Sequence, residues 1–225
     1  MLSGTGKLRD FKYCGVITGI LLLSLILFPA KDSMGSGRSA AITEWVHGDV
    51  KEGDGSPIVN AGVSLFDGFT LQSVKTDSQG RYQIDEVPVS EDRYAVLFFT
   101  KEGYIPEAVN LKIVKKTDME HSMILKRGET GNNGFVIGSI YKPIRGGKIQ
   151  FQSGIYSFVK GRQVTLEKGH EVVRKETDHE GHFLFEVPAG RYILSGEGLR
   201  ERAEIEVFTD QTVIRNLRSG VVLVD

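Results

Sequence analysis

Polar and apolar residues alternate one by one through most of the chain beyond residue 44. Arg202-Ala203-Glu204-Ile205-Glu206-Val207 does so strictly. Tyr94, Val96 and Phe98 mark one side of another run, as do Val109, Leu111 and Ile113, and then Phe183, Phe185 and Val187. Successive side chains of an extended strand point to opposite faces, so each run predicts a strand with one face buried. No stretch after residue 40 repeats its apolar positions at helical spacing. The pattern predicts strands near 44–50, 62–67, 70–76, 81–86, 92–100, 107–114 and 117–125. A second group falls near 135–141, 148–152, 162–167, 171–177, 182–187, 191–197, 202–207 and 211–224. Short strands at this spacing, with turn signals between them, predict β-sandwiches.

The turns carry their own chemistry, and they recur. Thr76-Asp77-Ser78-Gln79-Gly80-Arg81-Tyr82 aligns with Thr177-Asp178-His179-Glu180-Gly181-His182-Phe183, 101 residues on. Asp77 and Asp178 can accept from backbone N–H groups two residues ahead, and Gly80 and Gly181 can take a positive φ, so each motif predicts a hairpin turn. Val63-Ser64-Leu65 and Val164-Thr165-Leu166 align at the same offset, and Val87-Pro88 with Val187-Pro188 nearly so. Proline cannot donate to a sheet ladder, so Pro88 and Pro188 should end their strands. Residues 126–134 (KRGETGNNG) read as a boundary between two modules. The segment from Lys142 to Gly161 is longer than its counterpart and predicts either an extra hairpin or a loop bearing a binding surface.

The first 43 residues break the pattern. Residues 15–28 (GVITGILLLSLILF) are uncharged and follow Lys7, Arg9 and Lys12. A basic segment before an apolar one reads as a secretory signal or a signal anchor, with the rest of the chain exported. The expected organisation is a signal or anchor at 1–30, a flexible tether at 31–43, one sandwich at 44–127, a linker at 128–134 and a second sandwich at 135–225. The expected location is the outer face of the inner membrane, facing the periplasm or extracytoplasmic space, or secretion if the segment is cleaved.

Composition narrows the function. The net charge of -1 gives no basic excess for nucleic acid. The sole cysteine, Cys14, lies in the targeting segment, which removes thiol chemistry and disulfides from the body. None of the five histidines is followed three residues later by glutamate, as a zinc peptidase site would require, and no Gly-x-Ser-x-Gly elbow appears. His179, Glu180 and His182 beside Asp178 form a candidate metal cluster. The alternation instead places His182 on the strand face opposite Phe183, in solvent. Asp49, Glu52 and Asp54 are acidic but lack a calcium-loop spacing. No catalytic residue, metal site or cofactor is assigned.

The order Gly48-Asp49-Val50, Gly55-Ser56-Pro57-Ile58-Val59-Asn60-Ala61-Gly62-Val63, Thr76-Asp77-x-x-Gly80-x-Tyr82, Val87-Pro88, Tyr94 and Gly103-Tyr104 resembles the carboxypeptidase regulatory-like domain. That resemblance implies a seven-stranded prealbumin-like (transthyretin-like) sandwich over residues 46–125. The second module resembles the same superfamily more loosely, keeping Thr177-Asp178-x-x-Gly181, Val187-Pro188 and Arg191-Tyr192. The resemblance implies an accessory module and brings no catalytic residues. The expectation is an all-β, non-catalytic adaptor for an unidentified envelope protein, with carbohydrate binding as the alternative. Trp45, Tyr104, Tyr141 and Tyr156 are the candidate ligand-binding surface, since sugar sites pair aromatic faces with polar groups.

Overall fold

The computed structural model describes residues 43–87, 92–113, 118–129, 131–146, 154–220 and 222–224. The targeting segment, and the tether up to Thr43, lie outside the described residues. So does the strand expected at 148–152. The described residues are all-β and contain no helix.

The first sandwich is built from β1 (Thr43–Lys51), β2 (Gly62–Phe66), β3 (Leu71–Lys75), β4 (Arg81–Val87), β5 (Tyr94–Thr100), β6 (Glu107–Lys112), β7 (Met119–Glu120) and β8 (Met123–Ile124). One layer is β4-β1, with β7 and β8 lying parallel to β1; the other is β3-β2-β5-β6. Between them sits a core that includes Val46, Val50, Leu65, Leu97, Phe99 and Leu111.

The second sandwich repeats this arrangement. Its strands are β9 (Asn133–Gly146), β10 (Ile155–Phe158), β11 (Gln163–Lys168), β12 (Glu171–Glu176), β13 (His182–Pro188), β14 (Gly190–Gly196), β15 (Arg202–Val207), β16 (Thr212–Ile214), β17 (Leu217–Arg218) and β18 (Val222–Val224). β13-β9, with β16 to β18 parallel to β9, faces β12-β11-β14-β15. Val136, Leu166, Phe183, Phe185 and Leu194 fill the core between them. Strand positions thus follow the alternation in the sequence closely.

The two turn motifs make the same bonds. Asp77 Oδ1 accepts from Gln79 N at 2.8 Å and Arg81 N at 2.9 Å; Asp178 Oδ1 accepts from Glu180 N at 2.8 Å and His182 N at 2.9 Å. Gly80 has φ 75° and Gly181 φ 85°, a region that a Cβ disfavours. The threonine before each aspartate adds a bond pair that the sequence did not advertise. Thr76 Oγ1 donates to Ile58 O (2.6 Å) and accepts from Ala61 N (2.8 Å), while Thr177 Oγ1 donates to Val159 O (2.7 Å) and accepts from Arg162 N (3.0 Å). Each is buried.

These equivalences locate where the second sandwich departs from the first. Ile58 N donates to Val50 O, and Val159 N donates to Ile140 O, each at 2.9 Å. Eight positions lead from Val50 to Ile58 but nineteen from Ile140 to Val159, so eleven extra residues enter there. Among the described residues of that stretch, β9 runs on to Gly146 and β10 returns antiparallel to it. Of the two expected forms of this segment, the hairpin-like strand pair is the one present. β10 also pairs with β5 of the first sandwich, Ile155 opposite Tyr94.

The extra strand sits on a seam between the sandwiches, which belong to one unit, Arg38–Asp225. Phe66, Val96 and Phe98 of the first pack with Ile137, Tyr141 and Ile155 of the second. Asn110 Nδ2 donates across it to Glu180 O (2.9 Å), and Gly103 N to Asp210 O (3.2 Å). Two expectations are corrected here. β5, expected with one face buried, is buried on both: Ala95, Leu97 and Phe99 face its own sandwich core, and Val96 and Phe98 are buried in the seam. His182 is not in solvent, being 6% exposed with Phe158 5.9 Å from its ring. A strand's alternation separates its two faces but cannot tell that a second layer will cover the outer one.

Candidate functional site

The four aromatic residues singled out in the sequence fall in different places. Trp45 lies on β1, paired opposite Asp85 and half-buried. Tyr104 is buried; its hydroxyl donates to Glu52 Oε1 at 2.6 Å, and Arg127 lies over its ring at 5.1 Å while bonding the same carboxylate. Arg127 holds the Glu52 carboxyl below its ordinary range, with the Tyr104 hydroxyl adding to the effect. Tyr156 is 49% exposed on β10, with Arg93 over its ring at 5.8 Å. Tyr141 is at the seam, its ring edge-on to Phe66 at 5.0 Å.

The acidic and histidine candidates are likewise drawn into the fold. Glu52 serves Tyr104 and Arg127, Asp54 Oδ1 accepts from Ser56 N at 2.9 Å, and Asp49 pairs with Lys51 at 2.8 Å. His182 Nδ1 lies 2.7 Å from Ser139 Oγ, and Glu180 Oε2 is 3.7 Å from its Nε2. Serine, histidine and a carboxylate in that order invite a hydrolytic reading. Ser139, however, is fully buried, and a nucleophile without access to substrate cannot attack. The pair instead satisfies two polar groups that the seam removes from water. Burial pushes the His182 pKa down against the opposing pull of Asp178 and Glu180.

The cavity best furnished for a ligand opens beside Tyr141. It measures about 600 Å³ and is lined by Phe66 and Leu71 of the first sandwich and by Tyr141, Ile214 and the polar residues Arg200, Glu201, Arg215, Asn216 and Arg218 of the second. The β2–β3 turn holds Phe66 and Leu71 in place: buried Asp67 accepts from Phe69 N and Thr70 N, both at 2.7 Å, and from Thr70 Oγ1 at 2.9 Å. Glu201 Oε1 takes Arg215 Nη2 at 3.0 Å, and its Oε2 takes Arg218 N at 3.3 Å. Asn216 Oδ1 accepts from Ser139 N at 2.9 Å. Burial raises the pKa of Tyr141, so its hydroxyl stays protonated and able to donate. Of the residues picked from sequence, this cavity contains Tyr141. The arginines went unnoticed because they are scattered over residues 200–218; their density in that stretch was the available signal.

Residues 46–126 match the carboxypeptidase regulatory-like domain. No curated protein sequence matches the chain. Solved structures overlap it weakly. The Bacillus anthracis TIE protein is 17% identical with a TM-score of 0.30, covering 77% of this chain and 34% of its own. The minor pilin of Streptococcus agalactiae is 12% identical with a TM-score of 0.29, covering 81% and 98%. The major pilin subunit of Bacillus cereus is 10% identical with a TM-score of 0.31, covering 78% and 99%. This chain thus spans about a third of the TIE protein's length. Overlaps of this size say nothing of what it binds. The regulatory-like domain ends where β8 and the Tyr104–Arg127 contact close the first sandwich, and the seam with its cavity lies at that domain's junction with the second sandwich.

Proposed function

We propose that the chain is a non-catalytic adaptor of the cell envelope, held at the inner membrane by residues 1–30 and exposing its sandwiches outside the cytoplasm to a protein partner. One observation carries the adaptor reading. β12 ends its sheet with all six residues exposed, Val172 and Val173 among them, so an unpaired row of backbone groups is available to a strand from another chain. The groups with the means to do chemistry, Ser139 with His182 and Glu52 with Arg127, are occupied in holding the fold together, which supports a non-catalytic role. A photo-reactive residue placed at Val173 in cells should give a discrete crosslinked band, and one at Arg81 on the first sandwich should not. Protease added outside opened envelopes should degrade membrane-bound full-length protein. Protein recovered from the cytoplasm would sink the reading. Carbohydrate binding remains the second reading, favoured by the cavity beside Tyr141.

A further inference from the structure

The cavity at the seam carries more donors than its own residues use. Among the described residues, three arginines line it against one carboxylate, Glu201. Glu201 engages the Arg215 side chain, but of Arg218 only the backbone N–H. Among the described residues, the guanidinium groups of Arg200 and Arg218 have no acceptor, and neither do the Tyr141 hydroxyl and the Asn216 amide nitrogen. Asp67, which also acts electrostatically on Tyr141, is spent on its own turn. A chain with a net charge of -1 has therefore gathered an excess of positive charge at one concave place. Such a place attracts anions, and a guanidinium fork matches a carboxylate geometrically.

The other wall is apolar. Leu71 is 46% exposed, and Phe66 and Ile214 lie beside it. A volume of about 600 Å³ falls within the range of small-ligand sites. Donors converging on one side and a hydrocarbon wall on the other suit a ring with a carboxylate, hydroxyl groups and a C–H face. We infer that this cavity binds an acidic sugar residue, a uronate unit of a glycan, with Arg200 and Arg218 on the carboxylate, Tyr141 and Asn216 on hydroxyl oxygens, and Leu71 against the ring. Both sandwiches contribute, so the site exists only while they are joined. The inference stands apart from the adaptor reading, because it needs neither the β12 edge nor a protein partner.

The test is titration calorimetry of the full chain in detergent micelles with trigalacturonate, neutral maltotriose, hexaglutamate and inorganic phosphate. Trigalacturonate should bind at least about tenfold more tightly than maltotriose, since charged hydrogen bonds are the stronger ones, and its affinity should fall as salt rises. The double substitution Arg200→Gln with Arg218→Gln should weaken it about tenfold or more, the scale of one lost charged contact. Arg191→Gln, a cation on a different face, should change it less than about twofold, as expected for a screened distant charge. Leu71→Ser should weaken trigalacturonate and leave phosphate unchanged. The altered side chains are exposed, and unchanged melting temperatures would exclude loss of fold. Absence of binding, equal binding of maltotriose, tighter binding of hexaglutamate, or an equal effect of Arg191→Gln would each overturn the inference.

Discussion

A single hydroxyl does similar work in each sandwich. Thr76 and Thr177 tie the start of a hairpin to a strand far away in sequence, giving one bond and receiving one. Thr76→Val keeps the shape but leaves Ile58 O and Ala61 N without their partner. Buried groups left unpaired cost about 1–3 kcal/mol each, so the two together should lower the unfolding free energy by about 2–6 kcal/mol and move the urea midpoint down, with an unchanged slope. His182 is the residue where pH enters. Its pKa in the fold lies below the ordinary 6.5 because burial disfavours the charged ring. Its contribution is therefore complete above pH 6.5 and is lost as pH falls toward the depressed value, because the unfolded chain takes the proton first. The groups facing it are Ser139 on β9, Asp178, His179 and Glu180 of its own turn, and Glu107 with Lys175 and Glu176 around the adjoining cavity. His121, also depressed by burial, acts in the same sense, whereas Glu107, raised by burial, acts in the opposite sense from its ordinary 4.5 upward. Urea melts should show stability falling from about pH 7.5 to 5.5, and His182→Gln should flatten that slope.

At the scale of strands, β5 shows what the sequence could and could not convey. Tyr94-Ala95-Val96-Leu97-Phe98-Phe99-Thr100 was legible as a strand, but five consecutive buried residues mean two covered faces where the alternation predicted one. A run apolar on both sides is the mark of a strand buried twice, and here the second cover comes from β9 and β10, far along the chain. Strand positions and both turns were legible because they depend on neighbours a few residues away. The seam, the burial of His182 and the cavity were not, because each needs surfaces brought together from distant segments. Tyr141 was picked for being aromatic, whereas Arg200, Arg215 and Arg218 are spaced too irregularly to form a motif, and the near-zero net charge drew no attention to their density. The eleven-residue insertion was visible only as an unequal length. Gly181→Ala tests how tightly it is held. The added Cβ would lie 2.6 Å from Phe158 Cβ at a φ of 85°, so β10 must shift. The variant should be destabilised by about 1–3 kcal/mol, the cost of a strained backbone, with amide exchange accelerating first in β10.

At the scale of the whole molecule, the seam packs the two sandwiches against each other. Phe98 is fully buried in it, and β10 is bonded to strands of both sandwiches. The protein should melt in a single calorimetric transition. Ile155→Asp places an unpaired carboxylate in a fully buried position, and a buried charge is costly unless paired. That variant should separate the melt into two transitions, one per sandwich, if each core can stand alone. A wild-type melt already in two steps would show that the seam does not couple them.

The same seam sets where the chain can be divided. Residues 126–134, with their glycines and asparagines, look like the natural place to cut, and the family match ends beside them. Yet a fragment stopping there would carry Phe66, Val96 and Phe98 bare on its outer sheet, next to the open edge of β3. An uncovered apolar sheet beside an unpaired edge is a starting point for aggregation. The regulatory-like domain of this protein should therefore be insoluble when produced alone and recoverable when Val96 and Phe98 are made polar, so that the sequence boundary and the smallest soluble piece are different things.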